Sequence, residues 1–284
     1  MAGSKALQLA ALTAADVDAG LALSDAAGWN QTAADWALFI DGGAAIGFCT
    51  PAGTVVATAA TMVYGGGVAW ISMVLVEAAW RHRGLASLLM GASIERLQAR
   101  HVTPVLDATP AGEPVYRHLG FRAGFALERW QGGPAAGAGS AALPDSLRTA
   151  GMRDLDAIAT LDEAANRIGR RGLLQSFLLR RDTRAWMLRD GSGFLLLRSG
   201  RRALQIGPVV ARDTHGALAL LSTAVGAVTG PVILDVPTRW ADIASWLEAA
   251  GFARQRPYVR MAIGSPAPLS CGDHVFMLAG PEFG

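Results

Sequence analysis

The chain has 284 residues, of which 51% are hydrophobic and 17% are charged, and its net charge is only +2. This composition is typical of a globular protein and excludes a disordered chain. The small net charge does not favour nucleic-acid binding, so we expect no nucleic-acid partner. The length predicts two domains.

The two cysteines, Cys49 and Cys271, form no CxxC motif or Cys/His cluster, so we expect no metal site. No apolar run reaches the length of about 18 residues that a membrane-spanning helix needs, so we expect no membrane partner. The N-terminal residues have only a short apolar run, which favours a first strand over a signal peptide. The expected location is the reducing cytoplasm.

The first half of the chain predicts the element order β-α-α-β-β-β-α-β-α-β. Thr13 followed by Asp16, for example, indicates a helix start with an acid in the first turn. Apolar runs bounded by Gly and Pro indicate the strands. The predicted strands lie at 7–12, 44–50, 55–64, 69–76, 102–108 and 124–130, and the predicted helices at 13–26, around 35–36, from 85 onward and at 113–119.

The stretch from Ala69 to Arg96 combines a buried strand, a short polar turn and a helix. The turn is the hexapeptide Arg81-His82-Arg83-Gly84-Leu85-Ala86. A glycine can adopt positive φ there and lets an anion approach the backbone. Because N–H groups at a helix start point towards such an anion, this stretch predicts a phosphate-binding turn.

The second half of the chain repeats the first at low similarity. Asp107 is matched by Asp235 and Arg129 by Arg260, each about 130 residues later. Ordered matches at a nearly constant offset indicate two copies of one fold. Residues 131–145 are rich in Gly, Ala and Pro and predict a flexible linker between domains at 1–130 and 146–284.

The first half resembles the GNAT superfamily of acyl-CoA-dependent N-acetyltransferases. The resemblance rests on the Arg-x-x-Gly-x-Ala turn at 81–86 after a buried strand, and on Tyr116 followed by Leu119-Gly120-Phe121. The segments IGPVVA, LDVP and GPEFG of the second half fit the two-domain subgroup. The resemblance implies an α+β fold of two tandem GNAT-like domains, each with a mixed central sheet flanked by helices. We expect the divergent second domain to shape the acceptor site.

The resemblance further implies acetyl-CoA as cosubstrate and a strand, before the turn, that splays from the next strand beside the acyl-pantetheine arm. Tyr116 occupies the position of the general acid that protonates the leaving thiolate, a role that a phenol can fill at neutral pH. The implied acceptor-binding residues are Trp29, Asn30, Gln31 and Trp36. The implied acetyl-CoA-binding residues are Val74, Leu75, Val76, Arg81, His82, Arg83, Gly84, Leu85, Ala86 and Ser87.

The general base stays open. The strand 69–76 contains no carboxylate or histidine, and a water chain or an amine of low pKa would need no base residue. The side chains that we considered are Asp25, Asp35, Glu77, Asp107 and His118.

The second copy departs from the motif. Its turn, 212–217, has one residue more between Arg and Gly, and Leu247 stands at the position of Tyr116. We therefore expect that only the first copy is catalytic.

The sequence thus favours a monomeric or homodimeric N-acetyltransferase. It would transfer an acetyl group by direct attack of a primary amine of a small-molecule or amino-acid-like acceptor. The alternatives are a non-catalytic acyl-CoA-binding sensor, and an enzyme with another acyl donor or acceptor class. A generic nucleotide-binding α/β domain is disfavoured, because a β-meander and not a βαβ unit precedes the turn.

Overall fold

The structure is a computed structural model that describes residues 7–133, 143–264 and 272–284. The chain forms two compact units. The first unit comprises residues 1–63 and 67–105, and the second comprises residues 64–66 and 106–284. The boundary between the units lies inside the fifth strand, so the units do not coincide with the two sequence copies.

Up to the fifth strand, the order of elements is the predicted one. A 3₁₀ turn, Ala14–Asp16, precedes the first helix, and the Asp16 carboxylate accepts the N–H of Thr13 at 2.8 Å. The elements are β1 (Gln8–Ala11), α1 (Val17–Ala26), α2 (Ala33–Asp41), β2 (Ala44–Cys49), β3 (Val55–Tyr64), β4 (Val68–Val76), α3 (Leu85–Gln98) and β5 (Thr103–Ala108).

The sheet of the first unit has the strand order β1-β2-β3-β4-β5. The β1–β2 and β2–β3 pairs are antiparallel, whereas β4 and β5 run parallel. Helices α1 and α2 pack together through Gly20 and the fully buried Trp36. A Cβ at Gly20 would lie 2.4 Å from the Trp36 ring, so only glycine allows this contact. The Trp36 indole N–H donates to Ser24 Oγ at 3.0 Å, which satisfies its polar atom inside the core.

The remaining elements first complete the first copy and then repeat its order, which confirms the internal repeat. They are α4 (Glu113–His118), β6 (Phe121–Gly132), β7 (Leu147–Ala150), α5 (Leu155–Asn166), α6 (Arg171–Leu178), β8 (Arg184–Leu188), β9 (Gly193–Arg198), β10 (Leu204–Ala211), α7 (Thr214–Gly226), β11 (Val232–Pro237), α8 (Ala241–Ala249), β12 (Ala253–Ile263) and β13 (Val275–Met277). None of the described helices is long and apolar enough to cross a membrane.

Strand β6 is longer at both ends than the predicted strand 124–130. Gln131 and Gly132, which we assigned to the linker, pair instead with Ile233 and Val232 of β11, and Gln131 also pairs with Ala253 of β12. The ladders on both sides extend the strand, because they satisfy its backbone polar groups. Residues 134–142 of the predicted linker lie outside the described residues.

In the second unit the two copies exchange their last strands. The strand order is β5-β12-β6-β11-β10-β9-β8-β7. Only Leu106–Ala108 of β5 belong to this unit. Strand β12, which ends the second copy, therefore lies between β5 and β6 of the first copy. Reciprocally, β6 lies between β12 and β11 of the second copy.

Two buried ion pairs accompany the exchange. Arg129 donates from Nε and Nη2 to the two carboxylate oxygens of Asp235, both at 2.8 Å. Arg260 donates in the same way to Asp107, both at 2.8 Å. Each arginine thus binds the aspartate of the other copy, and both aspartate side chains are fully buried.

Candidate active site

Helix α3 begins at Gly84, which has a φ of +75° and serves as the N-cap. A Cβ at this position would meet no atom within 4 Å, so the backbone conformation and not the space requires a glycine. No side chain in the described part of the chain caps this helix start. The first N–H groups, on Leu85, Ala86 and Ser87, therefore have no intrahelical acceptor and can bind an anion.

The turn before α3 is basic, exposed and held by its own backbone. Arg81 Nε donates to the carbonyl of Val76 at 3.2 Å, and Arg83 Nη2 donates to that of Ala79 at 3.2 Å. The Arg83 guanidinium also lies 4.6 Å from the ring centre of Trp80. These contacts fix two positive charges next to the uncapped helix start, and His82 at a φ of +61° completes the turn.

Strand β4 offers an unpaired backbone edge close to this turn in the sequence. Its ladder with β5 has three residue pairs and ends at Trp70 and Val105; within the described residues it does not reach Ile71–Val76. This short ladder agrees with the opening that the resemblance implies. The irregularity is built in at Met73, which has a φ of +53° and whose carbonyl accepts the Thr58 hydroxyl at 2.9 Å.

The side chains that end β4 serve the core of the first unit. Val74 and Val76 pack against a buried cluster that includes Leu85 and Leu89 of α3, and Leu75 is buried. In the segment from Val74 to Val76, the side chains therefore pack in the core while the backbone edge stays available to a ligand.

The corresponding helix start in the second copy is closed. Asp213 is the N-cap of α7, and its Oδ1 accepts the N–H of Gly216 at 2.8 Å. This hydrogen bond holds the pKa of Asp213 below its usual value, so the side chain is a carboxylate at neutral pH. The carboxylate takes an N–H that a phosphate would need and adds a like charge.

The strand edge in the second copy is also occupied. The β10–β11 ladder again has three residue pairs, Leu204↔Val232 to Ile206↔Leu234. Beyond it, β13 pairs with β10, and Leu278 donates its N–H to the Asp235 carbonyl at 2.9 Å. Because Leu278 and its neighbours are almost fully buried, the chain itself fills the position that is open beside β4.

Tyr116 lies on α4 in the second unit and is half-buried. Its ring covers Gly112 and packs edge-on against Phe121 with a centre-to-centre distance of 6.0 Å. Burial raises the pKa of Tyr116, so the phenol is protonated at neutral pH. Leu247, its counterpart in the second copy, is fully buried in the core and has no hydroxyl that could donate a proton.

The four predicted acceptor residues lie in two different environments. Trp29, Asn30 and Gln31 belong to the connection between α1 and α2, where Trp29 and Asn30 are half-buried. Gln31 is only 5% exposed, and its Oε1 accepts no hydrogen bond from the described residues. Trp36 is a core residue with its indole N–H satisfied, and we leave it out of the proposed acceptor site.

Several of the candidate bases have structural roles. The Asp35 carboxylate accepts the N–H of Thr32 at 2.8 Å and caps α2, while Asp107 is bound by Arg260. His118 Nδ1 lies 2.7 Å from the Pro114 carbonyl on the surface of α4. Within the described residues, no three His, Cys, Asp or Glu side chains come together as metal ligands would.

Sequence reasoning missed Ser72 on β4. Its hydroxyl is buried and has no hydrogen-bond partner among the described residues. Unpaired buried polar atoms are rare, which makes Ser72 a functional candidate beside the irregular Met73. The signal in the sequence was a single polar residue inside an apolar strand.

The comparisons with known families agree with this architecture. The GNAT acetyltransferase family matches residues 19–121, and a second GNAT acetyltransferase domain family matches residues 158–277. The chain is therefore a two-domain GNAT protein. No curated protein sequence matches the chain.

Solved structures share the tandem fold at low sequence identity. A candidate acetyltransferase from Pyrococcus horikoshii is 18% identical with a TM-score of 0.82, over 100% of this chain and 98% of that one. A tandem GNAT protein from the clavulanic acid biosynthesis pathway is 15% identical with a TM-score of 0.63, over 92% and 99% of the two chains. A GCN5-related N-acetyltransferase from Sphaerobacter thermophilus is 18% identical with a TM-score of 0.63, over 92% and 96%.

Proposed function

We propose that the protein is an N-acetyltransferase that uses acetyl-CoA and acetylates a primary amine of a small-molecule acceptor. The observation that carries this proposal is the contrast between the two copies. In the first copy no described side chain caps the helix start at Gly84, and no described strand pairs with the end of β4 on its β5 side. In the second copy Asp213 caps the helix and β13 covers the edge.

In this proposal the pyrophosphate binds the N–H groups at the start of α3, with Arg81 and Arg83 supplying positive charge. The neutral amine attacks the thioester carbonyl, and a backbone N–H of β4 stabilises the oxyanion. When the intermediate collapses, the C–S bond breaks and the thiolate takes a proton from Tyr116. The attacking nitrogen releases one proton to water and Tyr116 regains one from water, so the products are an amide and free coenzyme A.

The test is a thiol-release assay with acetyl-CoA and a panel of small primary amines, run beside calorimetric binding of acetyl-CoA. We expect binding without an amine, and free thiol only when a suitable amine is present. A protein that binds no acyl-CoA would refute the proposal.

A matched pair of variants localises the binding. Removing both charges with Arg81→Gln and Arg83→Gln should weaken acetyl-CoA binding by at least tenfold, because each charged group contributes a charge-assisted hydrogen bond. Arg212→Gln at the corresponding turn of the second copy should leave the affinity unchanged. Equal losses in both variants would assign the site to neither copy.

A non-catalytic acyl-CoA-binding sensor is the second candidate. It is favoured by the absence of a carboxylate or histidine from β4 and by the structural roles of Asp35 and Asp107. The sensor would bind acetyl-CoA as tightly as the enzyme but release no thiol with any amine, so the same assay distinguishes the two.

A further inference from the structure

A β-bulge in β12 separates two neighbouring arginines. Arg254 pairs with Trp130 of β6, and Arg256 pairs with Arg129. Strand β12 therefore contains one extra residue, Gln255, between two pairs that are consecutive on β6. Without the bulge at Gln255, Arg254 and Arg256 would point to the same face of the sheet. In the structure their guanidinium groups lie over different rings: Arg254 is 4.9 Å from the Trp130 ring centre and Arg256 is 6.0 Å from that of Tyr258.

The two arginines also differ in their ionic partners. Arg254 bridges Glu128 and Glu248, each at 3.0 Å, in a surface cleft of about 320 Å³. Arg256 is half-buried and forms no ion pair with any Asp or Glu in the described residues. Because a partly buried guanidinium without a counter-charge is unfavourable, Arg256 has capacity for an anion.

Tyr258 is the second unused donor on this face. It is only 5% exposed, and its hydroxyl makes no hydrogen bond within the described residues, although the oxygen is not fully sealed from solvent. Burial raises the pKa of Tyr258 to about 12, so the phenol is protonated at neutral pH. A hydrogen bond from this hydroxyl to a ligand would satisfy a donor that has no partner among the described residues.

The surrounding charges restrict the ligand. Arg129 also lies over the Tyr258 ring, at 5.6 Å, but its charge is balanced by the bidentate bond to Asp235. Glu282 lies close enough for its negative charge to raise the pKa of Tyr258. Arg256 therefore supplies one positive charge that no Asp or Glu of the described residues pairs with.

We propose that Arg256 and Tyr258 form a binding subsite for the carboxylate of a small organic monoanion. The guanidinium would bind the two carboxylate oxygens, and the phenol would donate to one of them. A phosphate dianion fits less well, because the single guanidinium of Arg256 balances only one of its two negative charges. The subsite goes beyond the proposed acetyl transfer and does not depend on it.

The experiment measures the binding of benzoate, benzamide and inorganic phosphate to the full chain, without acyl-CoA, by thermal shift and titration calorimetry. We expect benzoate to raise the melting temperature in a saturable way, and benzamide and phosphate to do so much less. Binding of benzamide or phosphate as tight as that of benzoate would overturn the proposal, as would no benzoate binding.

The variants Arg256→Gln and Tyr258→Phe should each weaken benzoate binding about tenfold or more, because each removes a donor to a charged group. Arg254→Gln, on the same strand, is the matched control and should keep the wild-type affinity. An unchanged affinity in Arg256→Gln, or an equal loss in Arg254→Gln, would contradict the subsite. Acetyl-CoA binding, measured separately in all three variants, distinguishes this failure from a failure of the proposed enzymatic function.

Discussion

At the scale of single residues, the two glycines of the α3 region show different reasons for the same amino acid. Gly84 has positive φ at the helix start, which other residues adopt only with strain. Gly91 lies inside α3, and a Cβ there would meet no atom within 4 Å. The backbone conformation therefore requires a glycine at position 84, whereas position 91 has space for a larger side chain.

We predict that Gly84→Ala weakens acetyl-CoA binding by at least tenfold and destabilises the protein by about 1–2 kcal/mol, because alanine resists left-handed φ. Gly91→Ala should instead stabilise it by about 0.5–1 kcal/mol and leave binding unchanged. Urea unfolding and calorimetric titration measure the two effects. Full acetyl-CoA affinity in Gly84→Ala would contradict the proposed phosphate site.

Tyr116→Phe tests the proposed general acid at the same scale. Phenylalanine keeps the ring contact with Phe121, so we expect normal folding and acetyl-CoA affinity. The turnover number should fall by roughly 10²–10⁴, the usual contribution of general acid catalysis. Because burial raises the pKa of Tyr116, the alkaline loss of wild-type turnover should lie above pH ~10. Wild-type turnover in the variant would reject Tyr116 as the acid.

At the scale of elements, helices α3 and α7 occupy the same place in the two copies but begin differently. Among the residues that the structure describes, no side chain caps the α3 start, whereas Asp213 caps α7. Strand β13 further covers the edge of β10. In contrast, no described strand covers the end of β4 on its β5 side. In the second copy, Asp213 and β13 thus occupy the helix start and the strand edge that a ligand would otherwise contact.

We therefore predict that calorimetry gives one acetyl-CoA bound per chain. Asp213→Ala should lower the melting temperature, because it removes the cap of α7, without changing this ratio. The folded-state pKa of Asp213 is lowered, so the cap contributes stability above the unfolded pKa of about 3.9 and loses it as the pH falls below that value. Two molecules bound per chain would refute the assignment of the second copy as closed.

At the scale of the whole molecule, the exchanged strands β6 and β12 bring buried charges together. Arg129 and Arg260 each bind an aspartate of the other copy through two hydrogen bonds. Buried pairs of this kind are costly to break, because the remaining charge has no compensation. They stabilise the arrangement in which each last strand enters the other copy.

Asp235→Asn should accordingly destabilise the protein by about 3–5 kcal/mol, since Arg129 would remain buried without its counter-charge. The double variant Arg129→Leu/Asp235→Leu should lose less than the sum of the two single variants. Asp156→Asn, which breaks the exposed pair with Arg171, is the control and should change stability by less than about 1 kcal/mol. Urea unfolding measures all of them, and similar losses for Asp235→Asn and Asp156→Asn would contradict the assigned role of the buried pair.

The sequence alone determined the order of elements and the presence of two copies. Periodicity, caps and turn residues are local signals, and they predicted β3 at Val55–Tyr64 and the start of α3 at Leu85 as observed. The Arg-x-x-Gly-x-Ala spacing identified the family for the same reason, because the geometry of a helix start depends on adjacent residues. The functions of the predicted site residues stay predictions.

Only the tertiary structure decided which strands pair across the copies. Asp107, Arg129, Asp235 and Arg260 were visible as matched positions, but their crosswise pairing depends on contacts between residues more than 100 positions apart. The burial of Trp36, the cap by Asp213 and the cover by β13 were equally hidden, since a sequence pattern does not show what fills a cavity. Local chemistry thus determined the elements, whereas long-range packing determined that the chain itself covers the strand edge of the second copy.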